Sequence, residues 1–220
     1  MPTGVAIRDP REQLFNAAER VLLRDGPSAL TSRAVTTEAG CAKGVLHRHF
    51  TDFDAFLAEL VRDRIARLDA TALLASAGTG AVCDHLTVAL TDLFESVAVA
   101  IVSLVISRDE LRVRLRPTTP TGIPVLTEAA AMLGSYLAAE RELGRIDAGC
   151  DLHVLAATLI GAAHMLFADR TGTPPDSTAV RRVVDSVIVG ALSTPPPSTA
   201  LSRRTPMDRV GNRKARPAAD

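Results

Sequence analysis

Apolar positions recur at helical spacing through most of the chain. The first such segment covers residues 11–24 and ends at Asp25-Gly26-Pro27, where glycine suits the end of a helix and proline prevents its continuation. The pattern predicts an amphipathic first helix. It is expected to bury Leu14, Phe15, Ala18, Val21 and Leu22.

Residues 31–50 follow with a pattern of two short helices joined by a tight turn. Thr31 is a good N-cap for the earlier helix, and Gly40 can end that helix in the left-handed conformation. The later helix is expected over about 42–49, with Val45, Leu46 and Phe50 near helical spacing. Helices this short need the first helix to pack on. The pattern is therefore typical of a helix-turn-helix, whose second helix can enter the DNA major groove.

The rest of the chain is also predicted to be helical. Asp52 is expected to cap a long helix over about 53–74, and Gly78-Thr79-Gly80 marks a break. The β-branched residues near Ile101 would also suit a strand, but no partner strand is evident, so one helix is expected over 81–106. A loop is predicted at 117–124, before helices at 125–143, 152–170 and 178–192.

Composition narrows the classes of protein that fit. The chain of 220 residues carries 25 basic and 25 acidic residues, so any DNA affinity must come from a local basic face. Neither a signal peptide nor an apolar run long enough for a bilayer is evident. The three cysteines, Cys41, Cys83 and Cys150, are scattered and indicate reduced thiols. A cytoplasmic protein with no membrane partner is expected.

The order of residues around the two short helices resembles the TetR family of bacterial repressors. The resemblance covers about residues 10–60 and beyond them rests on helical pattern and length. It implies an all-α fold: an N-terminal three-helix helix-turn-helix DNA-binding domain, then a helical ligand-binding and dimerisation domain. The residues that carry it are Ala17-Ala18, Val21-Leu22-Leu23, Gly26, Thr31, Ala34-Val35, Ala39-Gly40, the run Gly44-Val45-Leu46-His47-Arg48-His49-Phe50, and Phe56-Leu57.

The expected domain limits follow from this resemblance and from composition. Residues 11–54 are assigned to the helix-turn-helix domain and residues 55–193 to the effector-binding and dimerisation domain. Residues 1–10 are expected to form a disordered arm and residues 194–220 a disordered basic tail. Residues 201–220 hold six basic and two acidic residues, a net charge of +4, which suits either phosphate attraction or simple solubility.

The resemblance also implies the residues that contact DNA. They are Thr31, Arg33, Lys43, Gly44, Val45, His47 and Arg48. Lys43 is expected to meet a base edge and Arg48 a phosphate, whereas Val45 suits either a thymine methyl or the core. Three departures stand out, because His47 replaces the usual tyrosine, Phe53 a phosphate-binding lysine, and Ala42 a serine N-cap.

A poorly aromatic helical domain tends to leave a cavity between its helices, which is a usual ligand site. The expected wall consists of Phe94, Val97, Ile101, Met132, Tyr136, His164 and Met165. Tyr136 is the first choice for a polar anchor and His164 the second; the alternative is a closed core. The family pairs its last two long helices in a homodimer, with Gly161, Ala162, Ala163, Val184 and Ile188 expected at the seam.

The sequence gives little support for a metal site, a redox-active cysteine or an enzyme. His47 and His49 point to different sides of a helix, and no further ligand completes a metal site. Cys41 is expected to be a small buried residue rather than a redox sensor. No nucleophile elbow, P-loop or dinucleotide loop is present, so neither an enzyme nor a cofactor is expected.

The sequence thus indicates a ligand-responsive transcriptional regulator. It is expected to act as a homodimeric repressor on near-palindromic double-stranded operator DNA and to be released by a small apolar effector. The alternative is a helical small-molecule-binding protein with weak or no specific DNA binding, which His47, Phe53 and the neutral first domain would favour.

Overall fold

The computed structural model describes residues 9–68, 70–168 and 174–193. Over these residues the chain forms α-helices and no β-strand, which confirms the predicted all-α class. The helices are α1 Pro10–Asp25, α2 Ser32–Glu38, α3 Gly44–His49, α4 Phe53–Ala66, α5 Ala70–Ala75, α6 Val82–Glu95, α7 Ala98–Ser107, α8 Asp109–Leu115, α9 Leu126–Glu142, α10 Leu152–Phe167 and α11 Ser177–Ile188.

Local sequence signals set the limits of the first four helices. The Thr31 hydroxyl accepts a hydrogen bond from the backbone N–H of Ala34 at 3.1 Å, and Asp52 accepts one from that of Ala55 at 2.7 Å. Gly40 follows α2 with φ of +63°, the left-handed conformation that glycine adopts most easily. These three predicted caps and stops are confirmed.

An aromatic cluster holds the N-terminal helices together. The rings of Phe15, Phe50 and Phe56 lie with centroids 5.0–5.9 Å apart, and all three side chains are buried. They join α1, the end of α3 and α4 in one core. The five apolar residues predicted to be buried on the first helix are all buried there. The start of α4 therefore belongs physically to the three-helix unit.

The long helix expected over 53–74 is wrong, because the chain bends after Ala66. The N–H of Arg67 is shared between the carbonyls of Asp63 and Arg64, and that of Leu68 bonds Ile65, three residues back. Such bonds tighten the last turn and end α4. A second short helix, α5, follows and packs on α9.

The single helix expected over 81–106 is also wrong. Its two parts, α6 and α7, lie 56° apart, with Ser96 in an extended conformation between them. The Ser96 hydroxyl accepts a hydrogen bond from the N–H of Ala98 at 3.3 Å, so a side chain takes over a helical donor. A further short helix, α8, lies before the predicted loop and was not anticipated.

The last helix is part of the core of this chain. α11 packs against α6 and α10, and Val184 and Ile188 are fully buried between them. Ala163 on α10 is buried in the same way. The expectation that Val184, Ile188 and Ala163 form an intersubunit seam is wrong, because one chain already covers them.

Contacts of α7 and α8 join the two halves of the molecule. α7 packs against α1 and against the 3-10 turn Pro27–Ala29. From α8, Arg114 forms an ion pair with Asp52 at 2.8 Å, and its backbone carbonyl accepts a hydrogen bond from Arg62 at 2.7 Å. The expected arm, apart from its last two residues, and the basic tail 194–220 lie outside the described residues.

Candidate functional site

The turn between α2 and α3 fixes the direction of the short third helix. The N–H of Cys41 bonds the carbonyl of Thr36 at 3.0 Å, and the Gln13 side chain on α1 donates to the carbonyl of Ala39 at 2.7 Å. On α3 itself Leu46 is fully buried and Val45 half-buried. Helix α3 is therefore anchored along one face and leaves the opposite face in solvent.

The residues expected to contact DNA gather on this open face. Thr31, Arg33, Lys43, Gly44, His47 and Arg48 are all exposed, and Val45 lies at the edge of the core. In the part of the chain that the structure describes, the side chains of Arg33, Lys43 and Arg48 form no hydrogen bond or ion pair. A Cβ built at Gly44 would meet no atom within 4 Å, so its backbone is open to a partner.

The carboxylate of α2 is paired with cations of α1. Glu38, near the end of α2, pairs with Arg20 at 2.7 Å and with Arg24 at 3.0 Å, both on α1. Hydrogen bonds from these two guanidinium groups, first Arg20, hold the pKa of Glu38 below its usual range. The cations of α2 and α3 thus keep a local positive charge, although the whole chain is neutral.

A cavity of about 690 Å³ lies where the N-terminal helices meet the rest of the molecule. Its wall is mostly apolar, and α1 contributes Glu19 and Leu23 to it. Leu23 and Val88 are exposed apolar side chains at its edge. The remaining apolar lining consists of Leu68, Ala72, Leu73, Ala89, Leu93, Val97, Ala98, Ile101, Val125 and Met132.

One wall residue has a strained backbone. Val125, just before α9, has φ of +76°, a conformation that β-branched residues rarely adopt. Its N–H donates to the Glu128 carboxylate at 2.7 Å, which holds the first turn of α9 in place. Backbone strain of this kind clusters at ligand-binding sites.

A polar chain runs from the cavity into the protein. His85 lines the cavity, and its Nδ1 lies 3.0 Å from the hydroxyl of the fully buried Tyr136. Beyond Tyr136, the side chain of Glu140 is also fully buried and forms an ion pair with Arg145 at 3.3 Å. Burial raises the pKa of Tyr136 above its ordinary value, and the nearby Glu140 carboxylate raises it further.

The residues expected to form the ligand wall divide into two groups. Val97, Ile101 and Met132 line the cavity. Phe94 stacks on Phe167 and contacts His164, away from that wall, whereas Met165 is 77% exposed. Tyr136 stands behind His85, with its hydroxyl already engaged there.

The N-terminal helices also match a family model. Residues 14–60 match the model described as bacterial regulatory proteins of the tetR family, and this segment contains α2, α3 and most of α1 and α4. This segment of the chain is a TetR-family helix-turn-helix.

Solved structures of TetR-family proteins share the fold of this one. Escherichia coli NemR in its reduced form has a TM-score of 0.66 at 17% identity, over 86% of this chain and 99% of its own. The fatty acid degradation regulator FadR from Bacillus halodurans gives 0.65 at 16%, over 84% and 98%. A TetR transcriptional regulator from Agrobacterium tumefaciens gives 0.58 at 20%, over 84% and 94%. No curated protein matches in sequence.

The helix-turn-helix segment departs from the usual residues of the TetR family at positions that the structure explains in part. Phe53 stacks on Phe56 with centroids 5.6 Å apart, and Arg108 lies over its ring at 5.5 Å. An aromatic contact thus occupies the place of the usual lysine. Helix α3 has no side-chain cap, as expected from Ala42, and its N-cap position falls on Lys43.

The sequence alone did not single out His85, Glu140 or Arg64. His85 and its partner Tyr136 are 51 positions apart, and Arg64 meets Glu19 across 45 positions. A single sequence contains no signal for such distant pairs. Within residues 9–68, 70–168 and 174–193, no three His, Cys, Asp or Glu side chains form a metal-binding group.

None of the described helices alone is long and apolar enough to cross a membrane. Among them, only the bent pair α6 and α7 reaches that length and composition together.

Proposed function

We propose that this TetR-family regulator binds a near-palindromic operator as a homodimer, represses transcription in the bacterial cytoplasm, and is released by a small apolar effector. The observation that supports DNA binding best is the group of unpaired cations, Arg33, Lys43 and Arg48, on the open face of α2 and α3. Cations on such a face are suited to phosphates and base edges. Residues 11–54 would form the DNA-binding unit and residues 55–193 the regulatory unit.

The cavity supports control by an effector. Its volume is in the range of sites for drug-sized molecules, and its wall is largely apolar. An occupant would contact Leu23 and Glu19 on α1 together with α4 to α7 and α9. An effector in the cavity would therefore change the orientation of the DNA-binding helices. For a near-complete switch the effector must favour the released state by roughly 5.5 kcal/mol.

An exposed stripe on α10 supports the homodimer. Val154, Ala157, Thr158, Gly161 and Met165 are exposed and follow helical spacing along one face. A Cβ at Gly161 would meet no atom within 4 Å, so a second helix can approach closely. A two-fold axis through this stripe would set two copies of α3 at a fixed spacing, as a near-palindromic site requires.

DNA binding is tested with Lys43→Ala and Arg48→Ala in gel-shift titrations. Duplexes from the region flanking the gene are compared with random duplexes. Lys43→Ala should weaken specific binding by about 1–3 kcal/mol and relax the preference at one base position. Arg48→Ala should weaken all duplexes alike and lower the salt slope by about one unit.

Arg141→Ala provides the matched control, because Arg141 is an exposed arginine on α9 with no side-chain partner among the described residues. It should bind DNA as the unaltered protein does. Specific binding that survives Lys43→Ala would show that α3 is not the recognition helix. Absence of any specific duplex for the unaltered protein would favour a ligand-binding protein without operator recognition.

A further inference from the structure

The wall of the cavity has an apolar interior and an edge that meets solvent. Val97, Ala98 and Ile101 of α7 line the interior and are buried or half-buried. Leu23 and Val88 are exposed apolar side chains at the edge. A ligand that fits this wall has an apolar body and one end that stays near water, and the charges at the edge decide the nature of that end.

The arginines of the cavity are already neutralised. The Arg64 guanidinium pairs with Glu19 and Asp63, and that of Arg67 pairs with Asp63 and Glu12. Three carboxylates therefore surround two guanidinium groups, so neither arginine has a positive charge to offer to an anionic ligand. A carboxylate entering the cavity would have to displace one of these partners or lose its hydration without compensation.

Two further carboxylates at the cavity have no cationic partner. Asp92 and Glu95 lie in the last turn of α6, line the cavity and are exposed. Among the described residues, neither side chain forms an ion pair or a hydrogen bond. The last turn of α6 contains no basic residue, and the carbonyls at the end of a helix carry a partial negative charge. The edge of the cavity therefore combines two carboxylates with the negative end of α6.

These charges favour a ligand with a positive charge. A cation at the edge is attracted by both carboxylates and stays partly hydrated, so the cost of burying a charge completely does not arise. The apolar body of the same molecule removes the α7 wall from water. A neutral molecule gains only the apolar contribution, and an anion is repelled at the edge.

We propose that the cavity binds apolar molecules with a single positive charge, such as an ammonium group, and that Asp92 and Glu95 select this charge. This ligand class rests on the proposed role of the cavity as the effector site. It narrows the small apolar effector to an amphipathic cation.

Three probes of similar shape and different charge test the selection by calorimetry: 4-butylbenzylamine, 4-butylbenzyl alcohol and 4-butylbenzoate. At about pH 7 they are cationic, neutral and anionic. The amine should bind about tenfold more tightly than the alcohol, and the benzoate should bind most weakly. Added salt should weaken binding of the amine and leave that of the alcohol nearly unchanged, because salt screens charges. Equal affinities for amine and alcohol, or tightest binding of the benzoate, would overturn the proposal.

A double variant, Asp92→Asn with Glu95→Gln, tests whether these two carboxylates select the charge. It should bind the alcohol as the unaltered protein does and should lose the preference for the amine, with folding checked by circular dichroism. Glu142→Gln is the matched control, because Glu142 is exposed, ends α9 as Glu95 ends α6, and lies outside the cavity wall. It should keep the preference. A double variant that still prefers the amine would show that other groups select the charge.

Gel-shift titrations with the same probes distinguish failure of this proposal from failure of the proposed function. If the amine is preferred but leaves operator affinity unchanged, the role of Asp92 and Glu95 is supported and effector control is contradicted. If amine and alcohol bind equally and both release the operator, effector control is supported and the selection of a cation is wrong. A protein that binds none of the three probes would also overturn the selection of a cation.

Discussion

His164 lies half-buried on α10, with its ring 6.0 Å from that of Phe94. Burial lowers its pKa below the ordinary value of 6.5, because the charged imidazolium loses hydration there. In the unfolded chain the ring regains that value and binds a proton more readily. The folded state is therefore fully favoured above pH 6.5, and stability is lost as the pH falls from 6.5 through the lowered pKa of the folded state.

Replacing this ring should flatten the pH dependence of stability. The melting temperature of the unaltered protein should fall between about pH 7.5 and pH 5, and that of His164→Leu should fall less. For each protein the melting temperature at low pH is compared with that of the same protein at about pH 7.5. A change in packing shifts both values and therefore does not affect the difference. Equal decreases for the two proteins would show that His164 does not contribute to acid sensitivity.

At the scale of single residues, the sequence predicted the role of a residue where its partner lies only a few positions away in the chain. Thr31, Gly40 and Asp52 act on atoms a few positions away in the chain, so their types and spacing were sufficient. Tyr136 was expected to face a ligand because it is the only tyrosine. Its orientation depends on His85 and Glu140, which meet it only after folding. Whether the predicted DNA contacts form stays a prediction.

Among the elements, α1 and α4 are joined by a buried arginine. The Arg64 side chain is 8% exposed and contacts Glu19 and Asn16 on α1 as well as Asp63 on its own helix. Arg67, one turn further on, pairs with Glu12 where both side chains are 51% exposed. The two contacts join the same helices but differ in burial. The effect of burial on an ion pair can therefore be measured by removing each contact in turn.

Glu19→Ala should destabilise the protein by about 1–3 kcal/mol, because it leaves part of a buried guanidinium without its partner. Glu12→Ala removes an exposed pair and should cost less than about 1 kcal/mol. Urea unfolding of both variants and of the unaltered protein gives the two differences. A cost for Glu12→Ala equal to or above that for Glu19→Ala would contradict the assignment of Arg64 as the main link between the helices.

Helical periodicity predicted which segments are helical, but not where a helix bends. The apolar pattern continues through Ser96, and only the hydroxyl bonded to the N–H of Ala98 shows why the chain turns there. Likewise nothing in the sequence around Arg67 forbids a helix. The helix ends there because the N–H of Arg67 is shared between the carbonyls of Asp63 and Arg64. Bends of this kind are decided by packing against other helices.

For the whole molecule, the exposed stripe on α10 predicts assembly. Val154→Glu and Met165→Glu should each give monomers and abolish tight operator binding, because a charge would be buried between two copies. Light scattering measures the mass and gel-shift measures DNA binding. Val113→Glu is the matched control, since Val113 is 63% exposed on α8 and Val154 is 55% exposed. A variant at Val154 or Met165 that stays dimeric would contradict this seam.

The sequence predicted the order of the two units. For the last helices, however, the face that was expected to contact a second subunit is wrong. Val184 and Ile188 were expected between subunits because the segment has more apolar surface than one subunit can easily bury. The structure shows that α6 and α10 cover them. Periodicity identifies an apolar face but not its partner, and on α10 the exposed large apolar residues are Val154 and Met165.

The turn after α9 is closed by residues much later in the chain. The N–H of Ser193 donates to the carbonyl of Arg145 at 3.1 Å, and Ile146 pairs with Leu192 in an antiparallel bridge. About 127 residues separate Ser193 from the end of α4 at Ala66. A ribosome that adds roughly 5–20 residues per second needs about 6–25 s for that stretch. During translation the helix-turn-helix can fold in that interval, so a newly made chain would have a DNA-binding surface before the segment that closes the regulatory half has been synthesised.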